Sequence, residues 1–172
     1  MSAVPAEYAR YFRADDIAPL ECLDAFYTRQ VFTPHFHEEY VVNALTLGAQ
    51  SYRYHGSSHV AGVGALVLIN PGEVHTGESA DAAGWGYRGF YPSATLIRGL
   101  ASQLAGRPVE PFFRQTVIYD IDLARRLALL QPLLAQCHDR LQRESALYAV
   151  FADVLQRHMG EREQLSARDQ PR

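Results

Sequence analysis

The sequence predicts a mainly β domain, a sandwich or barrel, followed by α-helices. Three observations carry this reading. Residues 8 to about 119 are dense in aromatic and β-branched residues, with turn residues at short intervals. Beyond residue 120 the apolar period changes to that of a helix. The chain has 172 residues, enough for one sizeable core.

Taken in order, the predicted strands are YARYF (8–12), LECLDAFYT (20–28), EYVVNALTL (39–47), SYRY (51–54), ALVLI (65–69), WGYRGFY (85–91) and QTVIY (115–119). Gly48, the run His55-Gly56-Ser57-Ser58, Gly62-Val63-Gly64, Asn70-Pro71-Gly72 and Asp81–Gly84 break them. One helix interrupts the strands: Ser93 can cap a run from Ala94 to Leu104 that Gly106 and Pro108 end. Asp122 can cap a second helix whose face carries Leu123, Leu127, Leu130, Leu134 and Leu141, with a kink or restart at Pro132. A third is expected from about Glu144 to Met159, with Gly160 as its stop. Residues 161–172 are polar and aperiodic and read as a linker or a frayed end.

Composition narrows the function classes. The formal net charge is −3, so no domain-wide basic field suits nucleic acid. No apolar run approaches a membrane span and no signal-peptide pattern opens the chain, so the expected compartment is the cytoplasm. Cys22 and Cys137 form no CxxC and read as reduced thiols. No Ser-His-Asp pattern, phosphate loop or paired-carboxylate site is present, and the chain is not expected to be an enzyme.

The chemistry concentrates in histidines. In TPHFHEEY (33–40), a strand would project His35 and His37 to one side and Phe36 to the other. His75 follows the turn in INPGEVHTG (69–77). Three neutral imidazoles converging on one point suit zinc, iron, nickel or manganese. The same three could instead line an organic pocket or hydrogen-bond at the rim of a barrel. His55 and His59 flank a turn and are expected to be solvated. Arg29, Arg53 and Arg88 are candidate partners for a ligand carboxylate, because guanidinium pairs with it bidentately. Strand parity sets Tyr52 and Tyr54 opposite Arg53, and Trp85, Tyr87 and Tyr91 opposite Arg88. Tyr40 and Trp85 are candidate contacts to a small molecule, or else core.

HFH (35–37), Gly48, Gly64, Gly72 and His75 resemble the two conserved segments of the cupin superfamily. Three positions depart from it. The usual glutamate ligand falls on Val41 or Val42, the opening glycine on Arg29, and Asn70 stands where proline is expected, with Pro71 next. Glu39, Glu73 or Glu78 would have to substitute as ligand. The run from His35 to Glu78 more closely resembles the sensing domain of AraC-type transcription regulators, with HFHEEY followed by LVLINPGEVH. That resemblance spans roughly residues 8 to 160. It implies a cupin-like, jelly-roll β-barrel (1–119) that binds a small effector, and a helical segment (120–160) that pairs two subunits. A mixed polar and aromatic lining would fit an amino acid, a sugar or a small aromatic acid, and the style of the motifs leans to the amino-acid-like class. The resemblance also implies that DNA is bound only by a further C-terminal domain, to which 161–172 would be the linker. The alternative is a small metal-dependent cupin enzyme using His35, His37 and His75, since three histidines leave coordination positions open.

Overall fold

The computed structural model describes residues 6–161. The strands are β1 (Tyr8–Arg13), β2 (Leu20–Tyr27), β3 (Phe32–His35), β4 (Val41–Tyr54), β5 (Ser57–Gly62), β6 (Ala65–Ile69), β7 (His75–Ser79), β8 (Trp85–Pro92), β9 (Pro111–Phe113), β10 (Val117–Tyr119) and β11 (Met159–Glu161). The helices are α1 (Ala94–Ala105), α2 (Ile121–Gln136) and α3 (Arg140–His158).

A nine-stranded antiparallel sheet follows the order β1-β2-β8-β4-β6-β10. The far half of β4 pairs with β5 and β7, and β7 with β3, so the sheet folds over on itself along β4. It is not closed into a barrel. The two expected strands 39–47 and 51–54 are one strand, β4, which runs through Gly48. Gly48 has φ +57°, and a Cβ there would meet the Gly84 carbonyl oxygen at 1.9 Å, so only glycine lets the chain pass. A bulge between Leu45 and Leu47, against β8, adds to the bend.

Alternation along the strands builds two cores. Leu23, Val41, Leu45, Tyr52, Val67, Trp85 and Tyr87 face inward between the folded halves of the sheet. Cys22, Val42, Ala44, Leu66, Leu68 and Phe90 face the helices. There they meet Leu123, Leu127, Leu130, Leu134 and Phe151, all nearly inaccessible to solvent. The leucine stripe of α2 expected to pair subunits is thus consumed by the chain's own sheet. Leu141 lies on α3, not on that stripe, and is exposed.

Helix ends follow local chemistry. The Ser93 hydroxyl accepts from the Leu96 N–H at 3.1 Å, and Gly106 closes α1 with φ +67°. Asp120 rather than Asp122 caps α2, accepting from the Leu123 N–H at 3.1 Å. α2 runs through Pro132, and the restart falls after Gln136. Asp139 then caps α3, which begins at Arg140, four residues before the glutamate predicted to begin it. Gly160 does not stop that helix; it lies in β11, which pairs with β9. Of the predicted linker, only Glu161 is among the described residues, and it lies in β11.

Candidate functional site

His35 closes β3 and His75 opens β7, and the two residues are direct partners across the strand pair. His37 lies just past the end of β3, not within a strand as expected. The Gly72 N–H donates to the His37 carbonyl at 2.7 Å, which draws this segment onto the Asn70–Glu73 turn. The ring centroids lie 4.3 Å apart for His35 and His75, 5.1 Å for His35 and His37, and 5.3 Å for His37 and His75.

Two backbone carbonyls set the tautomers. His35 Nδ1 lies 2.7 Å from the Thr33 oxygen and His75 Nδ1 lies 3.0 Å from the Glu73 oxygen. A carbonyl only accepts, so both Nδ1 atoms carry the proton and both Nε2 atoms keep a lone pair. Burial pushes the His75 pKa down to about 4, the flanking His35 and His37 adding to the effect against the bond to Glu73. Burial likewise lowers that of His37. His75 and His37 are therefore neutral near pH 7.

One donor atom from each ring lies within 4.8 Å of the others. An ion held at about 2 Å by three imidazoles needs donors about 3–3.5 Å apart, closer than the 4.8 Å limit within which these lie. The fixed Nδ1–H bonds are the outer-shell support that ligating histidines use. The donor set fits a divalent transition metal. No carboxylate joins it among the described residues. Val41 occupies the inward position at the glutamate's place in the pattern, while Val42 faces the helices. Glu73 accepts from the Tyr54 hydroxyl and the Asn70 amide and lies 3.3 Å from His55, and Glu78 is exposed.

The three histidines line a cavity of about 90 Å³ between the folded halves of the sheet. Its remaining wall includes Asn43, Gln50, Tyr87, Tyr91 and Val41. An adjoining hollow shares Tyr11, His37 and Tyr91 and carries the carboxylates of Glu21 and Glu39. Burial raises the pKa of both Tyr87 and Tyr91.

The other expected residues fall elsewhere. Trp85 is fully buried in the inner core against Phe32 and Tyr27 and does not line the cavity. Tyr40 faces the helical side and donates to the Pro111 carbonyl at 2.8 Å. Arg88 takes the outer side of β8, as its parity predicts, and pairs with Asp24 at 3.2 Å. Arg53 is exposed in an open cleft beside Tyr54, His55 and Thr76. His55 and His59 stack on Tyr54 and Tyr52, at 4.1 Å and 5.3 Å, so they are not simply solvated. Asn43 and Gln50 escaped the sequence reading, although alternation sets Asn43 in phase with the inward Val41 and Leu45.

Behind the cavity wall, Gln131 of α2 is 1% exposed. Its amide donates to the Leu23 carbonyl at 3.1 Å and to the Gly89 carbonyl at 3.0 Å. One helix side chain thus holds the backbone of two neighbouring strands. Gly89 also meets Asn43 on the cavity side.

The family model of the AraC-like ligand binding domain matches residues 18–151. The chain belongs to this family. It is 25% identical over 142 residues to an uncharacterised HTH-type transcriptional regulator of Bacillus subtilis, YbfI, an alignment covering 83% of this chain and 51% of that protein. The AraC-type domain therefore spans about half the length of the curated relative it matches. Among solved structures, it resembles a cupin-family protein with a double-stranded β-helix fold from Methanocaldococcus jannaschii. That match has 9% identity and a TM-score of 0.45, over 51% of this chain and 81% of that one. It also resembles Bacillus subtilis oxalate decarboxylase, a protein with Mn(II) centres, at 16% identity and a TM-score of 0.44, over 61% of this chain and 34% of that one. Both scores are low, and the fold assignment stands on strand pairing and the family match. No helix among the described residues is long and apolar enough to cross a membrane.

Proposed function

We propose that this domain senses a small effector between the folded halves of its sheet and passes occupancy to α2 and α3, within an AraC-type transcription regulator. One observation carries the reading: the cavity's polar wall and the root of α2 meet at Gly89. Asn43 stands on one side of that backbone and Gln131 binds its carbonyl on the other. An effector that favours one position of the β2 and β8 backbone thereby favours one seating of α2. DNA contact belongs, in this reading, to a further domain like that of the HTH-type relative, and the site of action is the cytoplasm. A homodimer through the C-terminal helices would use Leu129 and Leu141, which are 62% and 74% exposed, because Leu123, Leu127, Leu130 and Leu134 are spent internally. An amino-acid-like effector, the class that the sequence style suggests, finds no arginine or lysine along the cavity. Its carboxylate would need a metal on the histidines.

A second reading is favoured by the three-histidine cluster itself: a metal-dependent cupin enzyme. A divalent metal held by His35, His37 and His75 would supply Lewis acidity and open positions for substrate. The two readings separate in a thermal-shift screen of small metabolites against the domain and Val41→Phe, which fills the cavity. The sensing reading expects a ligand that raises Tm without being converted, and whose effect is lost in Val41→Phe. Turnover of that ligand, dependent on added metal, would replace it with the enzyme reading.

A further inference from the structure

The cavity holds two amides whose burial the histidine cluster does not explain. Asn43 and Gln50 are 6% and 8% exposed. Asn43 Oδ1 and Gln50 Oε1 are buried without a hydrogen-bond partner. A buried amide oxygen left unpaired costs free energy, and such groups are rare in folded chains. Both amides stand beside glycines that keep space open. A Cβ at Gly89 would come within 2.8 Å of Asn43 Oδ1, and one at Gly77 within 3.2 Å of Gln50 Nε2. A larger residue at either place would close the approach to its amide.

Charge decides what can answer these groups. No Lys, Arg, Asp or Glu lines the cavity. A carboxylate would meet imidazole lone pairs inside and Glu39 and Glu21 in the adjoining hollow. Glu21 already has a partner in Arg13 at 3.1 Å, whose charge is therefore not free for a ligand. An ammonium would lose its water without a counter-ion in contact. A hydroxyl both donates and accepts, as an amide does, so it can meet the oxygen and the NH₂ group of Asn43 or Gln50 with no charge to desolvate. Size sets a further limit. The cavity is about 90 Å³, below the ~150 Å³ that takes a benzene-sized molecule.

We infer that Asn43 and Gln50 are the specificity residues of the site, and that they recognise a small uncharged molecule bearing several hydroxyls. This inference rests on the reading of the cavity as the effector site. It departs from the amino-acid-like class that the sequence style suggests.

The test is calorimetric titration and thermal shift on the chelator-treated protein. The probes are glycerol and the two enantiomers of 1,2-propanediol, with glycerate as the matched acid and 2-amino-1,3-propanediol as the matched amine. The expected result is a saturable Tm rise from at least one polyol, differing between the two propanediol enantiomers, which non-specific stabilisation would not do. Asn43→Ala and Gln50→Ala should each weaken that binding roughly tenfold, as loss of a well-made hydrogen bond predicts. Asn43→Leu and Gln50→Met should keep or raise the ligand-free Tm, because each removes an unpaired buried amide. A merely structural amide would lower Tm instead, and that result overturns the assignment. Preferential binding of glycerate or the amine also overturns it, while leaving the sensing reading intact. So does polyol binding that survives both alanine variants. No saturable binding by any probe overturns it too. The metabolite screen with Val41→Phe then decides separately whether the cavity senses anything.

Discussion

Replacing Gln131 with methionine removes the two hydrogen bonds that root α2 while keeping chain length and side-chain volume close to native. Gln131 Nε2 donates at 3.1 Å and 3.0 Å to Leu23 and Gly89, in a seam otherwise formed by Leu127, Leu130 and Leu134. Each neutral hydrogen bond contributes about 1 kcal/mol net, and a buried carbonyl losing its partner adds to the loss. Against this, the variant removes Gln131 Oε1, which is itself buried and unpaired. The net expectation is a destabilisation of about 2 kcal/mol, or about 4–8 °C in Tm for a domain of this length. Urea unfolding followed by far-UV circular dichroism measures it, with an unchanged m-value showing that the unfolded state is not the cause. A change within about 0.5 kcal/mol, the scatter of inert substitutions, would refute the reasoning. The Gln131 contacts would then be incidental to how α2 sits on the sheet.

Two further outcomes follow from the histidines. His75 has its folded pKa depressed to about 4, below the ordinary 6.5, so the unfolded chain binds its proton first as pH falls. In chelator-treated protein, stability should be fully present above about pH 6.5 and decline toward pH 4 by up to about 3 kcal/mol; urea midpoints across that range, flatter in His75→Gln, check it. Protein purified without chelator and loaded with zinc should hold about one equivalent by mass spectrometry, and His75→Ala should hold none; retention of the metal by that variant would remove His75 from the site.

Much of this architecture is legible in the sequence, and the losses have physical causes. ALVLI reads as a strand at its observed limits because five apolar residues are bracketed by glycine and by Asn-Pro-Gly. β3 and β7 escape because FTPH contains a proline and HTGES a central glycine, so neither shows strand composition. Their pairing comes from the fold-over of β4, which no local pattern encodes. The HxH pair and the histidine after the Asn-Pro-Gly turn do identify the cluster, though His37 reaches it from outside a strand. Arg88 illustrates the reverse case: its parity is readable, but the outward partner Asp24 lies on another strand. Gln131 is hidden for a different reason. A single polar residue in a leucine-rich helix looks like an edge of the solvent face, and only the approach of two strand carbonyls gives it a buried role. The leucines of α2 exceed one barrel face in the sequence, yet the folded sheet uses most of them.

The most direct measurement is hydrogen–deuterium exchange on the domain with and without the best ligand from the metabolite screen, repeated in Gln131→Met. The account predicts slower exchange in β4 and β8 around Asn43 and Gly89, together with a change in α2 that disappears in the variant. Protection confined to the cavity strands, with α2 unchanged in the native chain, would contradict the claim that this site reports its occupancy through the helices.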